Sequence, residues 1–136
     1  MAIAIYAGHC LCGGLRYRAS GPATSIGYCH CASCRRACGA PYVAWLTVPR
    51  ATFRVVRGRL AEYRSSAHVH RGFCPTCGTP LSYRHARRPE EIDLTLAALD
   101  DPAAPAPTCH IWIEHKLPWV RLDDGLPRFP RSRPGD

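Results

Sequence analysis

Short stretches of alternating or wholly apolar residues recur along this chain at intervals of about ten residues, punctuated by glycine and proline. Leu15-Arg-Tyr-Arg18 alternates, and Tyr42-Val-Ala-Trp-Leu-Thr-Val48 concentrates β-branched and aromatic residues. Ile92-Asp-Leu-Thr-Leu96 does both, and His110-Ile-Trp-Ile-Glu114 is a further short candidate. Such segments suit strands, whose side chains point alternately to two faces. Thr52-Phe-Arg-Val-Val56 and Leu60-Ala-Glu-Tyr-Arg64 read as a hairpin about Arg57-Gly58. A helical turn is predicted only from Ala32 to Ala40, where Pro41 limits it, and Pro89-Glu-Glu reads as loop. The expected fold is mainly β, one domain over residues 1–129 of short antiparallel strands with little helix. Residues 130–136 hold nothing apolar to bury and are expected to fray. The proline-rich stretch from Asp100 to Pro107 reads as an extended surface connector.

A chain of 136 residues can build a core without help from metal. Its longest apolar runs, such as Leu94 to Leu99, fall far short of the roughly 20 residues that span a bilayer. The start has no basic segment of the kind that opens a secretory signal, so a cytoplasmic location is expected. A reducing compartment keeps thiols free, and nine cysteines cannot pair fully within one chain, so metal ligation is favoured over disulfides.

Seven of those nine fall into three clusters: Cys10 and Cys12; Cys29, Cys31 and Cys34; and Cys74 and Cys77. Residues i and i+2 of an extended segment share a face, so Cys10 and Cys12 can reach one metal together. Cys74-Pro-Thr-Cys-Gly78 has the form of a zinc knuckle, with Pro75 setting the turn and Gly78 free to take positive φ. The two pairs are expected to form a closed structural zinc site of Cys10, Cys12, Cys74 and Cys77. The triplet Cys29, Cys31 and Cys34 leaves a fourth corner open, which gives a second zinc chemistry to do. Cys38, one helical turn beyond Cys34, is an alternative fourth ligand. His30 lies on the opposite strand face and is expected to pack or hydrogen-bond elsewhere, and His110 can approach only through the fold. Cys38 and Cys109 also suit simple burial.

The formal charge is +8, with a single lysine among 18 basic residues. Thiolates bound to two zinc ions would bring it to about +5. The arginines are scattered in ones and twos, so nucleic-acid binding is not indicated.

The motifs Gly8-His-Cys-Leu-Cys-Gly-Gly-Leu-Arg-Tyr17, Cys29-His-Cys-Ala-Ser-Cys-Arg35 and Phe73-Cys-Pro-Thr-Cys-Gly-Thr-Pro-Leu81 resemble the glutathione-dependent formaldehyde-activating enzyme and centromere protein V family. Leu99-Asp-Asp-Pro, His110-Ile-Trp, Leu117-Pro-Trp and Gly125-Leu-Pro extend the likeness from about Gly8 to Phe129. The resemblance implies a zinc-bound β-tent fold with two zincs per chain. The structural one would lie on Cys10, Cys12, Cys74 and Cys77, and the catalytic one on Cys29, Cys31 and Cys34. It also implies addition of glutathione to formaldehyde, a carbon–sulfur lyase activity in reverse.

The expected function is therefore joining a small thiol such as glutathione to an aldehyde such as formaldehyde, or the reverse, at the open site. Arg35 and Arg36 follow Cys34 and could grip the thiol's carboxylates, though such a pair also suits a solvated helix face. A non-enzymatic zinc-folded module, with a basic surface for nucleic acid or an acidic protein, is the alternative. Redox sensing with Cys38 as resolving thiol is a third. The chain is expected to be a monomer or a homodimer, without a membrane partner.

Overall fold

The computed structural model describes residues 3–134, and the fold is mainly β. Among the described residues ten strands form two sheets. The smaller sheet holds β1 (Ile5–His9), β2 (Arg16–Ser20) and β5 (Arg54–Arg57) in the order β1-β2-β5. The larger contains β3 (Ser25–Cys29), β4 (Val43–Pro49), β6 (Ala61–Arg64), β7 (Val69–Phe73), β8 (Pro80–His85), β9 (Glu91–Thr95) and β10 (His110–Ile111). Its order is β10-β3-β4-β9-β8-β7-β6, antiparallel throughout except where β10 runs parallel to β3. The α-helix α1 (Ala32–Cys38) follows β3 and ends at Gly39, whose left-handed φ of 60° suits a residue without Cβ.

Period-two patterning explains how the sheets meet. In β2, Tyr17 and Ala19 are buried while Arg16 and Arg18 are exposed, so one face of the small sheet looks inward. β4 is apolar on both faces. Leu46 and Val48 join Leu15, Tyr17, Ala19, Ile92 and Leu94 in the core between the sheets. Val43 and Trp45, on the other face, pack with Cys29 and Cys34. Each such fully buried leucine contributes roughly 1.5–3 kcal/mol, so β4 anchors both the fold and the site behind it.

The predicted strands over 15–18, 42–48 and 92–96 are present within a residue or two. The predicted hairpin about Arg57-Gly58 is not. β5 pairs with β2 in the small sheet, whereas β6 pairs with β7 in the large one. The chain changes sheets at Gly58, whose φ is 78° and where a Cβ would meet the Gly14 carbonyl oxygen at 2.1 Å. Both facts demand glycine, and a turn signal alone cannot say which partner each flanking strand takes. Over 110–114 the strand is only two residues long. Trp112 then adopts φ 58° and leads into a 3-10 turn at Ile113–His115.

Of the segment expected to fray, residues 130–134 are described, while 135 and 136 lie outside the described residues. The described part is tied down: the Trp112 and Glu114 amides donate to the carbonyls of Arg131 and Pro130, at 3.0 and 3.3 Å. Among the described residues no helix is long and apolar enough to cross a membrane.

Candidate metal centres and the cavity beside them

The four sulfurs of Cys10, Cys12, Cys74 and Cys77 lie within 4.8 Å of one another. Cys10 and Cys12 are 3.4 Å apart, and Cys12 and Cys74 3.9 Å, although 62 residues separate the latter two in sequence. Tetrahedral zinc with bonds of about 2.3 Å sets its sulfurs about 3.8 Å apart, so the cluster has the right size. Backbone amides point at the sulfurs from Leu15 to Cys10 (3.3 Å), from Gly14 to Cys12 and from Cys77 to Cys74 (both 3.4 Å). Convergent thiols, two of them buried, with amide donors around them are suited to a bound cation that draws off their protons. Cys77 is already held low, at about 5, chiefly by the Thr79 hydroxyl.

Local geometry here differs from the expected extended pair. Cys10 to Gly13 form a turn, closed by the Gly13 amide on the Cys10 carbonyl at 3.1 Å, with Gly13 at φ 75°. Cys74 to Gly78 turn in the same way, the Gly78 amide reaching the Cys74 carbonyl at 2.8 Å. A turn lets amides as well as sulfurs face one point, which an extended segment cannot do.

The second group, Cys29, Cys31 and Cys34, also brings its sulfurs within 4.8 Å. Cys29 ends β3, Cys31 caps α1 by accepting from the Cys34 amide at 3.3 Å, and Cys34 sits in the first helical turn. Cys38 is not part of this group, although it packs against the same apolar cluster. Hydrogen bonds from the Cys29 and Cys34 thiols hold Cys31 far below the usual thiol range, while the same contact drives Cys29 far above it. Three sulfurs this close compete for protons, and one divalent cation would let all three ionise.

This cluster forms part of the wall of a cavity of about 720 Å³. Strand parity builds the wall. Ser25, Gly27 and Cys29 of β3 pair with Thr47, Trp45 and Val43 of β4, and Thr47 then pairs with Asp93, Asp93 with Tyr83, and Tyr83 with Arg71. All lie on one face of the large sheet, opposite the core. Arg71 crosses that face to the cluster, its guanidinium 5.0 Å from the Tyr83 ring centroid. Its two terminal nitrogens stand 3.8 and 3.7 Å from Cys34 Sγ. Trp112 closes the wall against the cluster. Its positive φ, costly for a bulky side chain, is held by the Phe129 and Arg131 carbonyls on the amides beside it.

Arg35 and Arg36 are not among the residues lining the cavity. His30 faces away as expected: fully buried, it meets His110 Nδ1 through Nε2 at 2.9 Å and stacks on Tyr42. His110 Nε2 in turn lies 2.7 Å from Asp124. Neither histidine lines the cavity. Sequence reasoning missed Arg71, Tyr83, Trp45 and Trp112 as site residues. Trp45 could have been found from its position two pairs along from Cys29, but Arg71 depends on the β7–β8–β9 register and has no local mark.

Three comparisons bear on this arrangement. An uncharacterized lyase of Schizosaccharomyces pombe is 30% identical over 93 residues, 67% of each chain. A Halomonas elongata protein named for glutathione-dependent formaldehyde activation is 29% identical over 127 residues, 85% of this chain and 80% of that one. A crystal structure of a Rhodobacter sphaeroides protein shares the fold with a TM-score of 0.61 and 24% identity, covering 90% of this chain and 98% of that one. The family model described as glutathione-dependent formaldehyde-activating enzyme matches residues 5–115, a span that holds both cysteine clusters. The chain therefore belongs to the glutathione-dependent formaldehyde-activating enzyme family.

Proposed function

We propose that this protein is a zinc-dependent lyase-type enzyme that adds a small thiol such as glutathione to an aldehyde such as formaldehyde, or reverses that addition. The observation that carries the reading is the three-thiol group of Cys29, Cys31 and Cys34, set in the wall of a cavity and faced by Arg71. Cys10, Cys12, Cys74 and Cys77 would hold a structural zinc, closed by four sulfurs. Cys29, Cys31 and Cys34 would hold a second zinc, which would supply Lewis acidity to bring an incoming thiol to its thiolate form.

The chain's own residues do the rest. Trp45, Tyr83 and Trp112 wall the cavity with rings that limit water beside the reacting sulfur. Arg71, fixed on Tyr83, places two N–H donors where negative charge passes from sulfur to the aldehyde oxygen. One carbon–sulfur bond forms, the carbonyl π bond opens, and the thiol proton ends on oxygen. No electrons are exchanged with an outside reagent.

The test pairs metal analysis with exchange spectroscopy. Two zincs per chain are expected, together with NMR exchange between glutathione, formaldehyde and their adduct faster than the uncatalysed rate. Protein carrying two zincs that leaves that rate unchanged would overturn the reading for this substrate pair.

A further inference from the structure

The family match ends at residue 115, yet the far end of the cavity is built by residues beyond it. Ser132 and Arg133 line the same cavity as the Cys29, Cys31 and Cys34 group. Their segment is pinned in place. The Ile113 amide donates to the Phe129 carbonyl at 3.1 Å, the Trp112 amide to that of Arg131 at 3.0 Å, and the Arg131 side chain to Glu114 at 3.1 Å. Arg133 then turns inward, half-buried, and donates from Nη1 to the Ser25 hydroxyl at 2.8 Å.

Of the arginines in the wall, Arg71 is taken up by Cys34 and the Tyr83 ring, which leaves Arg88 and Arg133 to compare. Arg88, also in the wall, is paired with Glu91 at 3.2 Å, and Asp93 accepts from Thr47 at 2.6 Å. None of the ion pairs among the described residues uses Arg133. A half-buried guanidinium whose one hydrogen-bond partner among the described residues is a neutral hydroxyl retains donors for a planar anion, and carboxylate matches its fork.

Position sets the size of the ligand. Ser25 and Cys29 stand four residues apart on β3, about 13 Å at the rise of a strand. A two-carbon thiol held at the cysteine group cannot cover that distance. A thiol of about tripeptide length spans about 10–11 Å at about 3.3–3.6 Å per residue, and a hydrogen bond of about 2.9 Å to the guanidinium makes up the rest.

We infer that Arg133 is a specificity-determining residue, the seat for a carboxylate remote from the sulfur of a peptide-like thiol, supplied by a segment outside the family's matched span. This rests on the thiol–aldehyde reading for the sulfur end of the ligand, but its test does not need turnover.

The probes are S-methylglutathione, which keeps both carboxylates and has no free thiol, and its diethyl ester, which has neither carboxylate. Binding to the zinc-loaded protein is followed through Trp45 and Trp112 fluorescence. Arg133→Gln is expected to weaken S-methylglutathione about tenfold to a hundredfold, with Arg133→Lys between the two, and to leave the ester within about twofold. In turnover, Arg133→Gln should raise KM for glutathione with kcat unchanged, and leave 2-mercaptoethanol unaffected. Equal effects on acid and ester, or no binding of S-methylglutathione by the unaltered protein, would sink the inference. Should the acid–ester difference appear without any thiol addition, the carboxylate seat stands and the enzymatic reading falls. Should both proteins turn over glutathione and 2-mercaptoethanol alike, the enzymatic reading stands and the carboxylate seat falls.

Discussion

Both terminal nitrogens of Arg71 stand within 4 Å of Cys34 Sγ, at 3.8 and 3.7 Å, and they come from a strand well across the sheet from the one that precedes the helix. The contact is rigid because the guanidinium also lies on the Tyr83 ring. A cation fixed there lies beside the thiol group and, in the proposed reaction, would stabilise charge developing on the aldehyde oxygen.

Replacing Arg71 should therefore act on chemistry more than on folding. Arg71→Ala is expected to lower kcat/KM about tenfold to a hundredfold, the worth of a charge-assisted hydrogen bond of about 1.5–3 kcal/mol. Arg71→Lys should recover part of this, keeping the charge while losing the fork and the flat stacking face. Steady-state kinetics with a thermal melt of each variant checks the split. Unchanged kcat/KM in Arg71→Ala would remove the guanidinium from the reaction.

The two cysteine groups should separate in their effects on stability. Cys12 and Cys74 meet across 62 residues and join the loop after β1 to the turn between β7 and β8, so a metal held there would tie the two sheets together. Binding energy at such a site is folding energy, on the order of 10 kcal/mol. Cys74→Ser should leave little soluble folded protein, or lower its melting temperature by tens of degrees. Cys29, Cys31 and Cys34 span one strand end and one helical turn, so Cys31→Ser should fold, bind one zinc per chain and lose activity. Zinc content by elemental analysis beside the melting curve distinguishes the two, and equal loss of stability would refute the division.

His30 gives a pH dependence whose sign follows from burial. Desolvation, helped by His110 and nearby cationic side chains, holds its imidazole down to about 4 from the usual value near 6.5. The folded protein thus keeps His30 neutral where the unfolded chain would take up a proton. Its contribution to stability is complete above about pH 6.5 and is lost as pH falls toward 4. His30 ring resonances should remain those of neutral imidazole down to about pH 5. The urea midpoint should decline across the same window, and a His30 that titrates near 6.5 would contradict this account.

How much of this could be read along the chain follows from the range of each interaction. The cysteine groups were legible because metal ligation needs few residues at short spacings, and those spacings survive whatever the distant fold does. The strands over 15–18, 42–48 and 92–96 were legible because period-two burial is local. Their partners were not. The turn at Arg57-Gly58 has the composition of a hairpin, yet Gly58 packs against Gly14 and sends β6 to the other sheet. The tail at 130–134 has no apolar content to announce it, but its carbonyls receive amides from 112–114 and its Arg133 enters the cavity.

Arg35 and Arg36 show the same limit at the site. The pair expected to hold the thiol's carboxylates does not line the cavity, whereas Arg71, unmarked in the sequence, stands beside Cys34. By itself the sequence determined the mainly β class, the two sets of converging thiols and the family to which they belong. Only the tertiary structure decided which charged and aromatic side chains share a cavity with Cys29, Cys31 and Cys34. Ligand spacing is a property of a few bonds, whereas a cavity wall is the product of strand register summed across a whole sheet.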